Sequence, residues 1–154
     1  SAASDVYKRQ ELINQAPVIA HQMDLLMSVD GVGERVALKM IMETDAFTSF
    51  TDPRKFCCHA GVVPFVYVSG SSQRSKNRVS NRADKSIKHL LHMAALSVSQ
   101  VKNSPLKKYY DRKVEEGKNK MSVLNAVRAK LVTIMFAVIR ADAFFSRNYQ
   151  NSLA

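Results

Sequence analysis

The chain has 154 residues, 46% of them apolar, which suits one domain with a real core and excludes a disordered chain. Its 23 Lys and Arg outweigh 13 Asp and Glu, so the formal net charge is +10 and the natural partner is nucleic acid or another anionic surface. The two cysteines are adjacent, Cys57 and Cys58, which excludes a disulfide framework, and the longest apolar run, residues 131–139, is about half of what a bilayer span needs.

Residues 1–10 read S-A-A-S-D-V-Y-K-R-Q, which looks like the in-frame translation of a transposon-end adapter used in sequencing libraries. They are therefore expected to be an artefact outside any fold argument. On the same reading the natural protein begins upstream of Glu11 and the chain lacks its N-terminal part. Residues 11–26 read as the end of a longer interdomain helix, broken or begun near Pro17.

Residues 26–44 run L-M-S-V-D-G-V-G-E-R-V-A-L-K-M-I-M-E-T. An apolar residue, two glycines two apart and an amphipathic helix resemble the helix-hairpin-helix motif. Gly31 and Gly33 are expected to take positive φ or allow close approach. The amides of Val32, Gly33 and Glu34 would stand free at a helix N-terminus to meet a phosphate. The alternative is an ordinary helical hairpin turn. Val36, Met40 and Ile41 share one helix face, with Ala37 beside them.

Asp52 and Pro53 form an N-cap and a first helical residue, which predicts a short helix over residues 53–59 with Phe and Cys side chains turned inward. Cys57, Cys58 and His59 lack the spacing of a zinc site and read as small buried thiols beside a histidine. Residues 62–68 are β-branched and aromatic around Pro64, an edge strand or irregular extended segment. That run breaks at Ser69-Gly70 into a hydroxyl-rich loop. Arg74, Lys76, Arg78, Arg82, Lys85 and Lys88 follow, as a polyanion-binding face or as a solvated loop.

Helical spacing predicts a helix over residues 83–102, with Lys85, Lys88 and His92 near its start. His89 and His92 lie three apart without a third metal ligand nearby, so a polar or phosphate-facing role fits them better. Asn103-Ser104-Pro105 ends that helix, and another covers residues 106–116, with Gly117 as its C′ residue. Tyr109 and Tyr110, set among lysines and arginines, could stack on bases, act as a rival nucleophile to the serine, or pack inward. The strongest helix covers residues 121–140, with Arg128 and Lys130 off its apolar stripe. The tail from Asp142 packs loosely or docks on a missing partner. Together these elements predict a mainly α helical domain with a helix-hairpin-helix element and a short extended segment before a basic loop.

The order of these parts resembles a known family. The carrying residues are Val29-Asp30-Gly31-Val32-Gly33, Ala60-Gly61-Val62-Val63-Pro64 and Ser69-Gly70, then residues 79–88, His92-Met93-Ala94-Ala95-Leu96 and residues 126–131. They are similar to the C-terminal transposase domain of DEDD-type insertion-sequence transposases guided by a bridge RNA (the "IS-one-ten" family), relatives of the pilin-gene invertases. The resemblance covers roughly residues 25–141, and the domain is expected at residues 27–143, with a tail at 144–154. It implies that Ser69, singled out from the nearby alternatives Ser71 and Ser72 only by the family's Ser-Gly pair, is a nucleophile toward a DNA phosphodiester, that Gly70 supports its loop, and that Arg74, Arg78, Arg82 and Lys88 balance phosphate charge. It implies an upstream RuvC-like domain that holds magnesium through four carboxylates. DNA and a guide RNA are the implied partners, in a homo-oligomer of the intact protein, in the bacterial cytoplasm and not in a membrane. Ala83 where the family often has glycine, and Lys88 where many members have arginine, are departures. A non-catalytic nucleic-acid-binding module is the second reading. A serine hydrolase is disfavoured because no Gly-x-Ser-x-Gly elbow is present.

Overall fold

A computed structural model of the chain describes residues 2–63 and 85–148. Among the described residues the chain is helical and contains no strand, so the mainly α expectation holds. The helices are α1 (Ala2–Gln15), α2 (Pro17–Met27), α3 (Glu34–Glu43), α4 (Pro53–His59), α5 (Lys85–Val98), α6 (Pro105–Glu115) and α7 (Lys120–Ala141). Most of the expected 62–68 segment lies outside the described residues.

Local chemistry sets the helix ends. Pro17, with its fixed φ and missing N–H, starts α2 after the extended Ala16. The Asp52 carboxylate accepts from the Arg54 amide at 2.9 Å and caps α4, as its position before Pro53 predicts. Asn119 caps α7 by accepting from the Met121 and Ser122 amides at 2.9 and 3.3 Å. Gly117 takes φ +85 after α6, and the Gly117 and Lys118 amides close on the carbonyls of Val114 and Lys113. α5 ends at Val98, short of residue 102, because three-residue-spaced bonds from Gln100 to Ser97 and from Val101 to Val98 tighten the chain.

α7 is the post around which the rest is built. It packs against α2, α4, α5 and α6, and α3 closes the far side against α2 and α5. Val123, Leu124, Val127, Leu131, Met135 and Val138 are buried as their spacing requires, and Val132 and Phe136 widen the buried face because neighbours lie on several sides. α7 is long and apolar enough to cross a membrane by length and composition, but half of it is buried inside the protein. It serves here as the core helix. Phe56, Leu25, Leu26, Met40, Ile87 and Leu91 fill the centre with it. Phe136 is met edge-on by Phe47 at 5.0 Å, and Phe56 lies 5.7 Å away.

The link after α3 takes a turn that its sequence does not announce. Asp45, Ala46 and Phe47 all have left-handed backbones, with φ of 48, 54 and 63°. Such a conformation costs a non-glycine residue about 1–2 kcal/mol. Buried Thr44 offsets that cost. Its hydroxyl donates to the Met40 carbonyl at 2.7 Å and accepts from the Phe47 amide at 2.9 Å. Gln22 of α2 donates to the Ala46 carbonyl at 3.1 Å.

The described part of the tail docks within the chain. The Phe145 amide donates to the Ser28 hydroxyl at 2.9 Å, and Arg147 grips Asp30 through Nε and Nη2, both at 2.9 Å. α7 ends in a left-handed Asp142 at φ 51, which turns the chain back toward α2. There His21 and Asp142 pair at 2.5 Å.

Candidate nucleic-acid interface

Two parts of the molecule bear on anion binding: the turn between α2 and α3, and the seam between α5 and α7. Ser69, Gly70, Arg74, Lys76, Arg78 and Arg82 lie outside the described residues, as do Ser71 and Ser72. Gly31, Gly33, Lys85 and Lys88 are described, and they divide between the two parts.

In the turn, Gly31 is required by its surroundings. Its φ is +83°, and a Cβ there would lie 2.6 Å from the Val98 Cβ and 3.0 Å from the Ala94 carbonyl oxygen. The turn therefore seats directly on α5. Gly33 behaves differently from expectation. Its backbone is extended, φ −96° and ψ −179°, and a Cβ would meet nothing among the described residues within 4 Å. Neither backbone strain nor packing requires glycine there, and the space above it is open. The expectation of three free amides is also narrowed, since the Val32 amide donates to the Val29 carbonyl at 3.1 Å. Gly33 and Glu34 stand at the N-cap and first positions of α3, where a helix offers their amides no acceptor. Asp30, the acid of this turn, is held in a two-point pair with Arg147.

At the seam, Lys85 is exposed and Lys88 half-buried on α5. Lys88 and His92 are four apart and share a helix face. Arg128 of α7, near enough to His92 for its charge to act there, is only 7% exposed. Its place off the apolar stripe predicts a solvated cation, and the structure buries it instead, because α7 is surrounded on more than one side. Its guanidinium donates to the Asn125 side-chain oxygen, and its buried Nε has no hydrogen-bond partner among the described residues. Burial lowers the Arg128 pKa. An arginine starts from so high a value that the group stays charged. The pKa of His92 is also lowered, first by desolvation, then by the charges of Arg128 and His89. Arg128 is the residue that reading by spacing missed, since periodicity marks apolar positions and is silent on which polar ones the fold encloses.

The other candidates are occupied by structural contacts. The Tyr109 ring is faced by the Lys130 ammonium at 4.7 Å and the Arg112 guanidinium at 5.7 Å. Tyr109 and Tyr110 both pack against the core. Lys107 pairs with Asp111 at 2.6 Å and Lys113 with Glu116 at 3.0 Å, so part of the α6 basicity is balanced along its own helix. Cys57 is buried, and burial together with the Cys58 and Asp52 charges pushes its thiol up to about 12, which keeps it an inert core group. Cys58 is half-buried. Among the described residues no three His, Cys, Asp or Glu side chains gather as a metal site.

Residues 23–111 match the family model described as Transposase IS116/IS110/IS902 family. The chain is 28% identical over 137 residues to the pilin gene-inverting protein of Moraxella bovis, covering 89% of this chain and 42% of that protein. It is 27% identical over 137 residues to the pilin gene-inverting protein of Moraxella lacunata, with the same coverage. An insertion element IS110 uncharacterized 43.6 kDa protein of Streptomyces coelicolor is 27% identical over 129 residues, covering 82% of this chain and 31% of that protein. The chain thus spans about two fifths or less of the length of these curated relatives.

Proposed function

The chain belongs to the IS116/IS110/IS902 transposase family, and from that premise we propose that it is the DNA-binding and nucleophile-bearing domain of a transposase or recombinase that cuts and exchanges DNA strands. The observation that carries this reading is the family match itself. It covers residues 23–111 and so includes both the glycine turn and Ser69. The inverting activity in the names of the Moraxella relatives is of the same kind, a rearrangement of DNA segments.

In this reading Ser69 attacks a DNA phosphodiester. A bond forms between its Oγ and phosphorus as one bridging P–O bond breaks, the serine proton passes to a base, and the departing deoxyribose oxygen takes up a proton from water or an acid to leave as a hydroxyl. Gly70 is assigned as support for the loop that carries the serine. Arg74, Lys76, Arg78, Arg82, Lys85 and Lys88 are assigned to nucleic-acid binding, where their charge balances the phosphate. The α2–α3 turn acts as the helix-hairpin-helix element, with the backbone at Gly33 open to a DNA phosphate above α3.

Magnesium, which the family resemblance implies, finds no fitting set of ligands among the described residues. It is assigned to a separate RuvC-like domain working with this one, and without that domain the chain is inactive. A guide RNA and a homo-oligomer complete the proposed assembly, in the cytoplasm of a bacterium. Residues 1–10 stay outside this assignment as an adapter-derived segment, and the functional domain runs over residues 27–143.

The test joins the chain to its upstream domain and mixes the product with guide RNA, magnesium and labelled donor DNA. A covalent protein–DNA adduct on a denaturing gel is expected, and Ser69→Ala abolishes it. An adduct that persists in Ser69→Ala overturns the nucleophile assignment. DNA binding without any adduct, in the wild-type assembly, favours the non-catalytic binding module.

A further inference from the structure

Arg128 sits at the α5–α7 seam as a buried cation with no counter-ion among the described residues. It is 7% exposed, its Nη2 is held by the neutral amide of Asn125, and its buried Nε has no acceptor among the described residues. A charge taken out of water is costly unless it is paired and fully hydrogen-bonded, and removing it for an apolar group of similar volume is often neutral or stabilising. A core position that only needed filling would be met better by Met or Leu. The charge is therefore kept for something that arrives.

The groups around it point to the sign of that visitor. Facing Arg128 from α5 is His92, whose proton affinity is lowered by desolvation and by the Arg128 and His89 charges. One turn before His92 on the same face is Lys88, half-buried. No described carboxylate is paired with Arg128, whereas Glu43, Asp111 and Glu116 each have a cation of their own. The packed helices α5 and α7 thus carry a planar fork, an ammonium and an imidazole, the last two on one face of α5 and His92 near Arg128. A guanidinium held in place on a core helix suits a phosphate oxygen pair better than a point anion.

We propose that Arg128, with Lys88 and His92, forms a seat for one phosphate of the nucleic-acid backbone at the α5–α7 seam. The seat deepens the DNA-binding reading above and rests on it for the source of the phosphate. Its role is binding and positioning. It holds the strand against α7, the helix that packs against α2, α4, α5 and α6.

The experiment uses the 154-residue chain and the variants Arg128→Met and Arg128→Lys, with two probes. The first probe is inorganic phosphate, compared with chloride at equal ionic strength in thermal unfolding. Wild-type Tm is expected to rise with phosphate and Arg128→Met to show no such rise. Arg128→Met without added anion is expected to unfold at the same temperature as wild type or higher. A large fall in its Tm marks Arg128 as a structural residue and overturns the seat.

The second probe is a short DNA duplex, titrated at several salt concentrations. Arg128→Met is expected to bind about tenfold more weakly, with the slope of log affinity against log salt smaller by about 0.9, the value for one phosphate contact. Arg128→Lys keeps the charge without the fork and is expected to fall between the two. Equal affinity and slope for wild type and a folded Arg128→Met overturn the assignment to nucleic acid. If wild type binds no duplex while phosphate still protects it through Arg128, the DNA reading fails and the phosphate belongs to some other ligand. If wild type binds duplex while phosphate gives no protection that depends on Arg128, the DNA reading stands and the seat fails.

Discussion

The α2–α3 turn and the α5–α7 seam both place polar groups where an anion would be met, and they differ in how far the chain itself satisfies them. In the turn, Asp30 is gripped at two points by Arg147 and the Ser28 hydroxyl is taken by the Phe145 amide. At the seam, Arg128 is buried with a neutral partner on one nitrogen and, among the described residues, none on Nε. A closed network stabilises a turn. An open one at a buried charge lowers stability unless a ligand completes it. The contrast separates polar residues that hold the fold from those kept for a partner.

The largest expected effect breaks the closed side. Gly31→Ala puts a Cβ 2.6 Å from the Val98 side chain and 3.0 Å from the α5 backbone, at a φ of +83°. The left-handed strain and the overpacking together are expected to cost about 2–5 kcal/mol, read as a lower midpoint in urea unfolding. A midpoint within error of wild type would mean that the turn does not seat on α5 as described.

A smaller effect sharpens the open side. His92 has a folded pKa below its ordinary 6.5, so below that pH the unfolded chain binds more protons than the folded one. Stability is therefore full above the unfolded value and is lost as pH falls through and below it. Desolvation leads, and Arg128 and His89 add repulsion. In Arg128→Met the His92 pKa is expected to rise part of the way back, followed by its ring-proton NMR shift against pH. No movement would place Arg128 too far from His92 to share a ligand with it.

The smallest effect on stability belongs to Gly33→Ala. An extended backbone and open space leave a stability change within about 0.5 kcal/mol. Duplex affinity, by contrast, is expected to fall, because the new methyl group stands where a phosphate would approach the α3 amides. Unchanged affinity would remove the turn from the DNA interface. Gly31 and Gly33, two residues apart, would then both be structural or neutral, and the seam would carry the contact.

Much of the fold was legible in the residues. Asp52-Pro53, Asn103-Ser104-Pro105 and Gly117 mark helix ends by chemistry that acts within one turn, and the stripe of α7 follows from spacing alone. The turn through Asp45, Ala46 and Phe47 was not legible. It has no glycine, and its left-handed backbone is held by Thr44 and by Gln22 from another helix. The docked tail depends likewise on Asp30 and Ser28, more than a hundred residues away in sequence.

The sequence by itself determined that this is a basic, mainly α chain, where most of its helices begin and end, and which family it resembles. These are properties of local backbone chemistry, periodicity and motif order. Only the tertiary structure decided that Gly31 is pinned against α5 while Gly33 is open, and that Arg128 is a buried charge and not a surface one. Burial and pairing depend on what the other helices bring near, and α7 is enclosed on so many sides that a polar position off its stripe still ends inside the protein.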